Sequence, residues 1–196
     1  MKGSPSAVVE TLRFYCELFV MTSSITAIDV PPSRRISREL QGADFFDSYE
    51  MPLAHGGRSA LDIYLKIIAK TPSWVNFLMA IRNRIVAVLG LKNLGHLGSL
   101  NQTKETSAYR VGDRVGIFSL LSISDDEIIL VDSDKHLDVK VSVCKLARED
   151  RQSVAVTTVV HIHNLLGRIY MLFVAPVHRR IVPATLVRAA DGQPDA

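Results

Sequence analysis

The clearest periodic stretch runs from Thr71 to Gly90, where Trp74, Leu78, Ile81, Ile85 and Val88 recur at intervals of three and four residues. That spacing places them on one stripe of a helix. Thr71 is the expected N-cap and Pro72 the first helical residue, where a missing N–H is harmless. Asn76, Arg82, Asn83 and Arg84 fall on the opposite face, and Gly90 is the stop. Just upstream, Ser59 with Asp62 three residues later forms a capping-box pattern. It opens a helix that runs to about Lys70 and buries Leu61, Leu65 and Ile68. The two predicted helices make a helical hairpin.

Other segments alternate with period two. Asp44 to Leu53 is rich in aromatic residues and reads as a first strand near an edge, followed by a break at His55-Gly56-Gly57. Four strands are predicted over Ile117–Ile123, Glu127–Val131, Leu137–Leu146 and Val154–Ile162, forming a meander. In the third of these, Leu137, Val139, Val141 and Val143 alternate with Asp138, Lys140, Ser142 and Cys144. That pattern predicts a sheet buried on one face and wet on the other.

After Asn164 the period becomes helical again, with Leu166, Ile169, Tyr170, Phe173, Val177 and Ile181 on the predicted buried stripe. Pro176 and Pro183 are expected to kink or divide this helix. The connection from Leu91 to Arg110 has no sustained period and is long enough to suggest a lid. Strand, helix pair, meander and long last helix define an α+β fold. In it a curved antiparallel sheet grips a kinked C-terminal helix, an arrangement that leaves a cleft for a small apolar molecule.

Three regions follow: an N-terminal extension over 1–42, partly flexible; a domain over 43–190; and a polar tail over 191–196. Pro31-Pro32-Ser33-Arg34-Arg35 reads as a linker within the extension. Met21 is an alternative start, with the residues before it an artefact of gene assignment.

Composition narrows the class. Of 196 residues, 47% are hydrophobic, enough for a large core. A net charge of +3, from 23 basic and 20 acidic residues, is too small and too dispersed to point to nucleic acid. Cys16 and Cys144 offer no disulfide framework, and two free thiols suit a cytoplasmic protein. The apolar run Ile169–Val177 falls well short of the roughly 20 residues that span a bilayer. Glu10, Arg13 and Glu17 interrupt any secretory leader.

Chemical motifs are sparse. No phosphate-cradling glycine motif is present, and no nucleotide cofactor is expected. Asp132-Ser133-Asp134 begins like a calcium loop, but Leu137 stands where the turn glycine belongs and Val143 where the bidentate Glu belongs. His161 and His163 share one strand face at a spacing that metal sites use, with His136 or Asp138 as a third ligand. The reading preferred here is two outward histidines and no metal. Asp134, His136 and Asp138 form either an acid–base set or a solvated turn. His178-Arg179-Arg180 is a basic face or an anion-holding group at a kink.

Three stretches together resemble a bacterial family known only as domain of unknown function 2867. They are Pro72-Ser73-Trp74-Val75 with Ile81-Arg82-Asn83 and Gly90-Leu91-Lys92, then Asp134-Lys135-His136-Leu137-Asp138, and finally His163-Asn164-Leu165-Leu166-Gly167-Arg168-Ile169-Tyr170 followed by Pro176-Val177-His178-Arg179. The resemblance covers about Asp44 to Arg188. It implies a helix-grip fold similar to the START and Bet v 1 proteins, and it carries no assigned activity. Because relatives are fused behind NAD-binding modules resembling epimerases, it also implies a separate NAD-binding, epimerase-like protein as a partner.

The expected function is binding of a small hydrophobic molecule between sheet and last helix. Trp74, Arg82, His136, Asp138, Asn164, Tyr170 and His178 are the candidate binding residues, with no catalytic residue assigned. The alternative is an enzyme of cyclase, hydrolase or isomerase type acting in the same cleft, through His136 and Asp138 or the His161/His163 pair.

Overall fold

The computed structural model describes residues 25–53, 57–78, 80, 104–148 and 151–191. Seven antiparallel strands form one curved sheet: β1 (Thr26–Ala27), β2 (Phe45–Pro52), β3 (Arg114–Val115), β4 (Phe118–Ile123), β5 (Glu127–Ser133), β6 (Leu137–Arg148) and β7 (Arg151–Ile162). Their order across the sheet is β1-β2-β7-β6-β5-β4-β3. β4 to β7 are the predicted meander, and β7 then pairs with β2 along its length, so the strand earliest among the long ones lies beside the last. The short edge strands β1 and β3 have no periodic signature of their own. An extra residue, Leu121, interrupts the β4–β5 register between Leu120 and Ser122 and bends that edge.

One sheet face carries the main core. Met51, Leu120, Ile128, Leu130, Val143, Val154 and Val156 pack against two helices, α1 (Ala60–Ala69) and α2 (Leu165–Asp191). α1 starts with the predicted capping box. Ser59 Oγ accepts from the Asp62 amide at 3.2 Å, and Asp62 Oδ2 accepts from the Ser59 amide at 3.2 Å. Leu61, Ile63, Tyr64, Ile67 and Ile68 are its buried residues, and Leu65 is only half-buried. Thr71 does not cap the next helix with its side chain. Its Oγ1 donates back to the Ile68 carbonyl at 2.8 Å, closing α1. Residues 73–78 are helical, with Val75 fully buried while Trp74 is 43% exposed. The rest of the predicted second helix, apart from residue 80, lies outside the described residues, as does residues 91–103 of the long connection.

The last part of that connection is pinned. Tyr109 is buried in the main core, and Lys104 pairs with Asp113 at 2.6 Å while lying 4.5 Å from the Tyr109 ring centroid.

The expectation of a wet second sheet face is corrected. Ser142, Cys144 and Thr157 are fully buried there. Residues 28–43 cross this face, with a 3-10 turn over Arg35–Leu40, and Val30 and Ile36 pack on Ile129 and Val159. The segment that reads as a linker is a built cover. The Glu127 side chain, itself buried, accepts from the amides of Arg35 at 2.9 Å and Ile36 at 3.3 Å, and from Ser142 Oγ at 3.0 Å. A carboxylate at the amide end of a helical turn satisfies donors that have no partner within the turn. Arg35 reaches Ser122 at 2.6 Å, Arg34 donates to the Lys145 carbonyl, and Lys140 pairs with Glu39. Ser48 and Thr157 bond to one another at 2.8 Å. Small polar residues thus look wet in the sequence but satisfy each other under cover.

α2 is a continuous helix of 27 residues that contains both Pro176 and Pro183 without dividing. Each proline deprives the carbonyl four residues earlier of its partner. Those carbonyls belong to Leu172 and Arg179, both exposed residues. The buried stripe is not the predicted one. Met171, Thr185, Leu186 and Ala189 face inward, whereas Ile169, Phe173 and Val177 are exposed by 45%, 74% and 39%. Buried and exposed positions of this helix are both rich in apolar residues, and periodicity alone cannot then choose its inner face.

Candidate functional site

The candidate residues separate into two places. The first is a joint between the β5–β6 turn and the start of α2. Asp134 Oδ1 accepts from the amides of His136 at 2.7 Å and Leu137 at 3.1 Å, folding the turn on itself. The His163 amide donates to the His136 carbonyl at 2.8 Å. Asn164 caps α2 by accepting from the Gly167 amide at 3.1 Å, gives its Nδ2 to the Lys135 carbonyl at 2.9 Å, and meets His136 Nδ1 with its side-chain amide. Asp138 accepts from Ser133 and lies 3.2 Å from His163 Nε2. His136 and Asn164 therefore meet, while Asp138 contacts Ser133 and His163 beside them, and these contacts hold the turn and the helix start.

The His161/His163 pair does not converge. His161 Nε2 lies 3.2 Å from the Gln41 carbonyl on the covered face, whereas His163 faces Asp138. Among the described residues, no three His, Cys, Asp or Glu side chains are placed to hold a metal ion. Tyr170 is half-buried against Leu137, Val160 and Met171. Arg82 lies outside the described residues.

The second place lies on the main-core face beneath α2; among the described candidates it contains His178, with Tyr170 at its apolar end. His178 Nε2 is 3.1 Å from Thr158 Oγ1 and 3.5 Å from Asp47 Oδ1. Its ring stands edge-on to Phe45 at 5.8 Å. Asp47 on β2 and Thr158 on β7 are direct cross-strand partners, and Val141 and Leu130 continue the same row across the sheet. Asp47 is 9% exposed at its side chain, and neither carboxylate oxygen has a hydrogen-bond partner among the described residues. Tyr49 follows two residues on, on the same face. Burial and then the Asp47 charge push its phenol above the ordinary value, with Arg179 opposing them. Tyr49 is thus held as a neutral hydroxyl that can donate or accept. Arg179 lies over the Phe45 ring at 5.3 Å.

Asp47, Tyr49 and Thr158 were not among the sequence candidates. The available signal was their break in alternation: Asp47 shares the parity of Phe45 and Met51, and Thr158 that of Val156 and Val160. A separate open cleft of about 710 Å3 lies at the sheet end between Ala27–Pro32 and the end of β6, lined by Ile28, Asp29, Pro31, Leu146 and Ala147 among others. Among its described lining residues, Asp29 is the one titratable side chain.

With this geometry in hand, the comparisons have a structural meaning. The family model described as a protein of unknown function (DUF2867) matches residues 39–185, and the chain belongs to that family. Two of the stretches that carried the resemblance, 134–138 and 163–170, are the two sides of the joint. No curated protein matches the chain, and no solved structure matches it.

Proposed function

We propose that this domain binds a small, largely apolar molecule between the curved sheet and α2, in the manner of a helix-grip protein. Asp47, Thr158 and His178 are its polar anchor. The observation that carries this reading is the buried Asp47 carboxylate, whose oxygens accept no hydrogen bond among the described residues although His178 Nε2 stands 3.5 Å away. An unsatisfied buried acceptor costs about 1–3 kcal/mol, and more when charged, so a site that retains one is suited to a ligand donor. Tyr170, two turns before His178 on α2, stands at the apolar end of this region beside Leu137 and Val160. The preferred ligand is therefore an apolar body with one hydroxyl or amine directed at Asp47.

The test is native mass spectrometry of freshly purified protein, together with thermal shift across a library of lipids and polyketides. A retained mass, or stabilisation by a hydroxyl-bearing apolar compound that Asp47→Ala removes, is the expected result. Absence of both in the intact protein overturns the reading.

A second reading, an enzyme acting on the same ligand class, is favoured by one feature. Asp47 and Thr158 both approach Nε2 of His178, which leaves Nδ1 as the ring atom to exchange a proton. In that case Asp47→Asn lowers turnover by roughly 10²-fold or more while leaving ligand retention within a few-fold. Equal loss of binding and turnover refutes the catalytic role.

A further inference from the structure

The outer face of α2 is a second surface, independent of the ligand reading. Leu165, Ile169, Leu172, Phe173 and Val177 recur at intervals of one, three and four along this helix. They are exposed by 72%, 45%, 72%, 74% and 39%. Single exposed apolar residues are ordinary, but five on one helical face are not. The charges on the helix are of one sign until its last residue. Arg168, Arg179, Arg180 and Arg188 are all exposed, and Asp191 is the sole acidic residue.

The acidic groups near the helix start are already engaged. Asp134 accepts from two amides, Asp138 from Ser133, and Asp44 from the Ile162 amide at 2.7 Å. The outer face is an apolar ridge that Arg168 borders near the helix start and that Arg180, seven residues after Phe173, continues, whereas Arg179 is turned to the Phe45 ring.

We infer that this ridge docks on an anionic phospholipid surface. Leucine, isoleucine and phenylalanine enter the headgroup–acyl boundary, and the arginines meet the lipid phosphates and carboxylates. Charge decides between occupants. A second copy packed through the same helix places Arg168 and Arg180 against the same pair in a two-fold contact, where like charges repel. An anionic bilayer supplies the opposite sign to both arginines, and their long stems allow their heads to rise to the interface while the apolar residues sink. Lying on a membrane is distinct from crossing one, and among the described residues no helix is long and apolar enough to cross.

The experiment is co-sedimentation of the full chain with vesicles of phosphatidylcholine alone and of phosphatidylcholine mixed with phosphatidylserine. Sedimentation velocity of the free protein runs alongside. Binding to the mixed vesicles is expected to be roughly thirtyfold tighter than to neutral ones, from two arginines near the surface. It weakens as salt is raised. Joint replacement of Leu172→Glu and Phe173→Glu abolishes it, with far-UV circular dichroism unchanged because both side chains are exposed. If that variant fails to fold, Arg168→Glu with Arg180→Glu serves instead, and its expected effect is loss of the preference for phosphatidylserine.

No vesicle binding by the unaltered chain overturns the proposal. So does binding that these variants leave intact. Self-association that Leu172→Glu and Phe173→Glu abolish, without vesicle binding, overturns it in favour of a second copy.

Discussion

Gly167 sits in the first turn of α2, where the helix passes the β5–β6 turn. A Cβ placed there stands 2.3 Å from the His136 carbonyl oxygen and 2.9 Å from Ile162 Cγ2. The oxygen belongs to backbone fixed by the Asp134 turn, so little can give way. Gly167→Ala is expected to cost about 1–3 kcal/mol as an overpacked contact, measured as a lower urea midpoint with unchanged slope. Cys144 shows the opposite sort of constraint. It is fully buried beneath residues 28–43, and burial pushes its thiol up to about 11, with Arg34 opposing. Thiolate is the reactive form. In native protein at mildly alkaline pH, iodoacetamide followed by peptide mapping should leave Cys144 unmodified until denaturant is added.

At the level of single elements, the capping box of α1 couples stability to pH. Burial alone raises the Asp62 carboxyl, but hydrogen bonds from Ser59 and Thr106, with Arg58 nearby, outweigh it and hold it below the ordinary carboxylate range. A depressed carboxyl contributes stability above the unfolded-state value and loses it as pH falls through the folded one. Asp62→Ala is therefore expected to cost about 1 kcal/mol at neutral pH. The gap from the parent should close in acid below about pH 4; a gap that stays constant with pH rejects the charge contribution. This box was legible because capping is a local event, spaced three residues apart. The strands β4 to β7 were legible for the same reason, since alternation needs no partner. What escaped depends on distant pairing. Nothing near Asp47 shows that Thr158 will lie opposite it, or that His178 will arrive above both. Nor does the sequence near Ser142 show that Ile36 will cover it. The inner face of α2 escaped for a different cause, the lack of contrast between its sides.

Across the whole molecule, the two sheet faces are unequal in how they are held. The main-core face joins strands and both helices in one large apolar cluster, whereas the cluster on the opposite face is, among the described residues, the small set Val30, Ile36, Ile129 and Val159, aided by Leu40 and Ala43. The cover therefore relies on polar contacts, above all those of Glu127 with the amides of Arg35 and Ile36. Elements with few apolar contacts open before the rest of a fold. Ile36 is fully buried at the centre of the small cluster, and Ile36→Asp places a carboxylate there beside that of Glu127. The expected outcome is local release of the cover: trypsin cleaves after Arg34 and Arg35, and Cys144 becomes open to alkylation, while far-UV circular dichroism retains the strand signal. Glu127→Ala should act in the same direction by removing hydrogen bonds to a charged acceptor, at about 1.5–3 kcal/mol. If either variant instead melts cover and sheet in one transition, with no gain in cleavage before it, the two faces form one cooperative unit and the cover is as integral to the fold as α2.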